Sequence, residues 1–148
     1  MSVEIYSDEY FMRQALIEAQ KAFEEDEIPI GAVIVSKNKI IGRGHNLTER
    51  LIDVTAHAEM QAITAASSFL NSKYLKECTL YVTLEPCPMC AGALFWSQIG
   101  RVVFAAPDAK RGFRDHGGYL HPKTKMEHGL LEKECSQLIK SFFAGKRA

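Results

Sequence analysis

The sequence predicts an α/β domain: a mixed sheet with helices packed on both faces. Three observations point there. Helical periodicities and short β-branched runs alternate in the order αββαβαβ(β)α, a hairpin followed by strands connected through helices. The run at 79–84 (TLYVTL) is apolar without alternation, as in a strand covered on both faces. No repeat, low-complexity stretch or linker divides the 148 residues, so a single domain spanning 1–148 is expected.

Each element has its own signal. Ser7 followed by Asp8 and Glu9 marks a helix start, with a side-chain cap and an acidic first turn. Phe11, Met12, Ala15, Leu16, Ala19, Ala22 and Phe23 then recur at helical spacing and form one core-facing stripe. The acidic run Glu24 to Glu27 suits a helix C-terminus poorly and is expected in a solvated loop. Residues 30–36 and 39–43 read as strands joined by a tight Lys37-Asn38 turn. Residues 56–70 have helical spacing, and the 79–84 strand follows. Pro88 suits the first position of a helix that runs to about Gln98. Residues 101–106 (RVVFAA) read as a strand, 107–121 as a Gly- and His-rich loop, 122–128 as a last strand, and 130–143 as an amphipathic helix.

Composition excludes some function classes. No apolar run is long enough to span a bilayer, and the N-terminus lacks a basic region followed by an apolar stretch. A cytosolic location is therefore expected, where four cysteines serve as thiols or metal ligands rather than disulfides. Net charge is zero, but residues 1–100 hold 8 Lys+Arg against 13 Asp+Glu, whereas 101–148 hold 10 against 5. Such asymmetry produces a basic face only if folding does not mix the two regions.

The chemistry concentrates in His57-Ala58-Glu59 and Pro86-Cys87-Pro88-Met89-Cys90. Cys-x-x-Cys alone fits a redox pair or half a zinc knuckle equally well. With His57 the set becomes one imidazole and two thiolates, three donors suited to Zn²⁺, one short of a closed structural shell. The fourth place is left for water, whose pKa falls to roughly 7 on zinc. His57 and the cysteines sit at the starts of two helices, whose positive ends favour thiolates and a developing anion. Glu59, two residues beyond His57, reaches that water without ligating the metal and can carry protons. Cys78 and Cys135 show no such pattern and read as buried structural thiols. Trp96 reads as core or interface.

His-x-Glu with Pro-Cys-x-x-Cys is a general signature of zinc nucleobase deaminases, and this chain carries it. Beyond that pattern, Ile28 to Val33, Gly44-His45-Asn46, Thr55 to Glu59, Thr79 to Gly92, Ile99 to Phe104, Asp108-Ala109-Lys110, Glu134-Cys135 and Phe142-Phe143 resemble the bacterial tRNA-specific adenosine deaminases. The resemblance covers nearly the whole chain. It implies a three-layer αβα, cytidine-deaminase-like fold with a five-stranded sheet. It also implies one zinc per subunit, a homodimer, and conversion of a wobble adenosine in a tRNA anticodon loop to inosine. By the same resemblance His57, Cys87 and Cys90 hold zinc and Glu59 shuttles protons. Asn46 contacts the target nucleoside, and Ile28 and Pro29 form a wall of the base pocket. Asp108 and Lys110 lie in a loop beside the RNA backbone. Phe142, Phe143, Lys146 and Arg147 lie on a terminal helix that reaches the anticodon loop. The segment GFRDHGGYLHPKTKMEH departs from the Gly-Ser-Leu segment and short helix of familiar members, while Arg111 just before it and its own Arg114, Lys123 and Lys125 keep positive charge for phosphates. Two alternatives stand beside this reading: a free nucleobase or nucleoside deaminase of guanine or cytosine type on the same fold, and a non-catalytic zinc-stabilised RNA-binding module.

Overall fold

The computed structural model describes residues 4–147, and the Arg147 side chain lies outside what is described. Its order is α1 (Asp8–Glu24), β1 (Gly31–Ser36), β2 (Lys39–His45), α2 (Ala58–Leu70), β3 (Thr79–Leu84), α3 (Pro88–Ser97), β4 (Arg101–Ala106), a 3₁₀ turn (Phe113–Asp115), β5 (Lys125–His128) and α4 (Glu132–Arg147). The strands form one sheet in the order β2-β1-β3-β4-β5. β1 is antiparallel to β2 and β3, while β3, β4 and β5 run parallel. This is the expected mixed, five-stranded sheet.

Alternation along the central strands divides the core into two layers. Ala32, Ile34, Leu80, Val82, Val102 and Phe104 face α2 and α3, meeting Ala58, Ala62, Ala66, Ala91 and Leu94. Val33, Val35, Tyr81, Val103 and Ala105 face the other way, onto Phe11, Met12 and Ala15 of α1 and Cys135 of α4. Successive residues of a strand point to opposite faces, so a sheet buried on both sides needs apolar residues throughout. The alanine stripe of α2 brings that helix close to the sheet. Gly44 of β2 completes the approach, because a Cβ there would collide with the Ala58 carbonyl oxygen.

Local signals act as expected. The Ser7 hydroxyl accepts the Tyr10 amide at 3.1 Å and caps α1. Lys37 and Asn38 take φ of 51° and 63°, the left-handed pair of a tight hairpin turn. β2 extends two residues further than expected and takes in Gly44 and His45. The acidic run is a partial correction. Glu25 and Asp26 are exposed, but Glu27 is only 1% exposed. Its carboxylate accepts the Glu49 and Arg50 amides at 3.1 and 2.7 Å, so the charge anchors the loop after β2 rather than facing solvent.

The far face carries a second polar tie. Arg101 Nη2 lies 2.6 Å from Asp8 Oδ2, the Tyr81 hydroxyl donates to Asp8 Oδ1 at 2.6 Å, and Arg101 Nε reaches Glu127 at 2.8 Å. These bonds fasten the start of α1 across β3, β4 and β5. Among the described residues, no helix is long and apolar enough to cross a membrane.

Candidate active site

Both ligand-bearing turns are helix N-caps. His57 caps α2 and Cys87 caps α3, each with extended backbone, and Pro88 takes the first helical position after Cys87. The two positive helix ends converge at the carboxyl end of β3, where α/β sheets commonly bind ligands. Cys90 follows one turn into α3 and is fully buried. His57 Nδ1 stands 3.6 Å from Cys87 Sγ and 3.4 Å from Cys90 Sγ.

That spacing tests whether zinc fits. Tetrahedral Zn–N and Zn–S bonds place an imidazole nitrogen and a thiolate sulfur about 3.6 Å apart. His57, Cys87 and Cys90 all present donor atoms within 4.8 Å of one another. The donor chemistry agrees with the spacing. The hydrogen bond from Cys90 holds the Cys87 thiol down at about 4, while that bond and burial push Cys90 up. The hydrogen bond to Cys87 raises the His57 imidazole. A thiolate, a thiol and an imidazole crowded together retain protons that a divalent cation would displace. The three residues fit the ion.

Glu59, in the first turn of α2, is 4% exposed. Burial lifts its carboxyl to about 7, with the Cys87 charge adding to the rise and His57 opposing it. A carboxyl that is half-protonated near neutrality, beside a metal site, suits acid–base work.

The structure brings several of the other expected residues together. Asn46 is buried, and its backbone N–H donates to the Ile30 carbonyl at 3.1 Å, placing it beside the Ile28-Pro29 turn. Leu47 donates to the Ala56 carbonyl at 2.9 Å, which draws the same segment to the His57 turn. Pro29 is buried, while Ile28 lines a cleft with Phe143, Arg50 and Lys146. Phe142 and Phe143 separate in role: Phe142 is buried against Phe23, and Phe143 is exposed at the cleft. Lys146 pairs with Asp26 at 2.6 Å. Asp108 turns its carboxylate onto the Lys110 and Arg111 amides, both at 3.1 Å, leaving Lys110 exposed at the rim of its own loop. Trp96 is 76% exposed, which removes the core reading. Cys78 and Cys135 are buried thiols, as expected.

One polar residue of this region escaped sequence reasoning. Glu85, between β3 and the cysteine turn, is buried. Burial alone would raise its carboxyl, but Arg114 and the amides of Arg114 and Asp108 together hold it below its ordinary value. A charged residue ending an apolar strand beside Pro-Cys is the signal that could have found it.

An imidazole, two thiols and an adjacent buried carboxyl at paired helix starts, on this sheet order, define a zinc-binding deaminase domain. The family model described as the cytidine and deoxycytidylate deaminase zinc-binding region matches residues 5–106. A tRNA-specific adenosine deaminase of Aquifex aeolicus is 48% identical, across 91% of this chain and 93% of its own length. The chloroplastic tRNA(adenine(34)) deaminase of Arabidopsis thaliana is 44% identical across 92% of this chain, which spans 12% of that longer protein. A solved tRNA:A34 deaminase, studied for A-to-I editing at the wobble position, superposes with a TM-score of 0.80 at 41% identity, covering 87% of this chain and 98% of the other. A guanine deaminase of Bacillus subtilis is also similar, with a TM-score of 0.65 and 40% identity over 68% of this chain and 65% of its own. The chain belongs to the tRNA-specific adenosine deaminase family.

Proposed function

We propose that this chain hydrolyses the wobble adenosine of a tRNA anticodon to inosine, releasing ammonia. The observation that carries the reading is the His57, Cys87 and Cys90 donor set with Glu59 buried beside it. His57 Nδ1 and both sulfurs would hold one zinc per subunit, which when bound supplies an acidified water at its open position. Glu59 accepts a proton from the attacking water. It passes that proton to the purine ring nitrogen as the C6–O bond forms, then takes the second proton from the oxygen now on C6 and passes it to the amine, so that the C6–N6 bond breaks and ammonia leaves. Asn46 and the Ile28-Pro29 turn orient the base, which must leave its stack to enter; a flexible anticodon loop makes that exit inexpensive. Asp108 shapes its loop so that Lys110 faces the RNA backbone, and Phe143 offers an aromatic face at the rim of the Ile28 cleft.

The protein acts as a homodimer in this reading. Its support is apolar exposure around the ligand-bearing elements: Ile52 is 92%, Val54 83% and Trp96 76% exposed. In this reading a second copy of the chain covers these side chains and forms one apolar contact from them. The deciding experiment measures ammonia release from an anticodon stem-loop with a wobble adenosine, alongside free guanine, cytosine and cytidine. Release from the stem-loop alone is expected, and turnover of a free base alone would overturn the substrate.

A further inference from the structure

Glu85 and Arg114 have no part in the reaction just described, yet they form the most heavily bonded polar pair near it. Glu85 Oε1 accepts the Asp108 amide and Arg114 Nη2, both at 3.1 Å, and Oε2 accepts the Arg114 amide at 3.0 Å. The Phe113 amide donates to the Pro86 carbonyl at 2.9 Å, and the Phe113 side chain is buried in the α2–α3 layer. Gly112 lets the chain wrap the carboxylate, since a Cβ there would strike the Glu85 carboxyl group. The Arg114 guanidinium lies over the Phe104 ring at 4.9 Å, itself stacked on His128. Residues 108–114 are thus fastened to the residues just before Cys87. The segment that carries Asp108, Lys110 and Arg111 therefore has a fixed position relative to the metal ligands, without itself reaching them.

From this arrangement we infer that Glu85 and Arg114 are positioning residues that set affinity for the nucleic acid around the target base, leaving the reaction at the base to His57, Glu59 and the cysteines. The inference rests on the reading proposed above, in which Lys110 faces the RNA backbone. Arg114 meets both oxygens of the Glu85 carboxylate, one through Nη2 and the other through its backbone amide, so a charge-assisted bond and a main-chain bond fix the same residue. Arg114 was expected to face phosphates; its guanidinium, though partly exposed, is engaged with Glu85 and Phe104, whereas the exposed Lys110 and Arg111 beside it are the loop's cations turned to solvent.

The test uses the full-length, zinc-loaded protein with Arg114→Met, which keeps an apolar stem over Phe104, and Arg114→Lys. With an anticodon stem-loop, Arg114→Met should raise KM roughly tenfold while kcat stays within about twofold and zinc content is unchanged. Arg114→Lys should recover part of the KM. Amide exchange across 108–114 should quicken in Arg114→Met, with α2 unaffected. A fall in kcat at constant KM, an unchanged KM, or unchanged loop exchange each overturns the inference. If the wild-type protein deaminates no RNA, the function proposed above fails, while the exchange measurement still decides whether this pair holds the loop.

Discussion

At the scale of single residues, Glu59 and Cys87 make separable contributions. Glu59 is buried beside the metal ligands, and that burial lifts its carboxyl to about 7. Glu59→Ala should therefore keep zinc and lose activity by at least about 10²–10⁴-fold, the usual range for a positioned acid–base group. Metal analysis and ammonia release on the same sample check this, and a variant with near-normal turnover would exclude the proton-carrying role. Cys87→Ala should lose zinc and thermal stability together, because the ligand caps α3 and metal binding is coupled to folding. Full zinc occupancy in that variant would contradict the ligand assignment. These residues were legible in the sequence because their chemistry is local: a ligand one helical turn from another, and a carboxylate two residues from a third. Glu27 and Glu85 were not. Each accepts amides more than 20 residues away, and no short pattern encodes such a bond.

At the scale of elements, β-branched runs and the Lys37-Asn38 turn announced the sheet, and alanines at helical spacing announced α2, since period and turn chemistry are read within one segment. The tie between α1 and the sheet was invisible for the opposite reason, because Asp8 meets Tyr81 and Arg101 only through the fold. It makes a prediction about pH. The Arg101 guanidinium, with the Tyr81 hydroxyl, holds the Asp8 carboxyl below the ordinary carboxylate value. A depressed pKa in the folded state adds stability above the unfolded value of about 3.9, and that stability is lost as pH falls through the folded one. Asp8→Asn should therefore destabilise at neutral pH, by on the order of 0.5–1 kcal/mol for so exposed a pair. The gap from wild type should begin to narrow near pH 4 and close as pH falls through the lower folded value, beneath which both proteins carry a neutral side chain. Thermal melts from pH 7 to 3 decide it, and a gap that stays constant over that range would show that the carboxylate charge contributes nothing.

At the scale of the whole molecule, the charge asymmetry of the sequence is partly folded back on itself. Arg101, Arg114 and Lys146 of the basic third pair with Asp8, Glu85 and Asp26 of the acidic remainder, which is why a uniform basic face does not follow from the split. The fold also leaves apolar side chains uncovered: Ile52 and Val54 in the turn that leads to His57, and Trp96 on the helix that begins with the cysteines. A two-fold pair would put the same patch of each subunit against the other, burying these side chains and bracing both ligand-bearing turns. Trp96 is the chain's single tryptophan, so its fluorescence reports on this surface alone. Dilution should shift its emission to longer wavelength in step with loss of the dimer in sedimentation. Trp96→Glu or Val54→Glu should yield monomer at concentrations where the wild type is paired, since a carboxylate in the centre of such a patch has no partner. A dimer that survives both substitutions would place the subunit contact on another face, and a wild-type protein that sediments as a monomer at every concentration would remove the contact altogether.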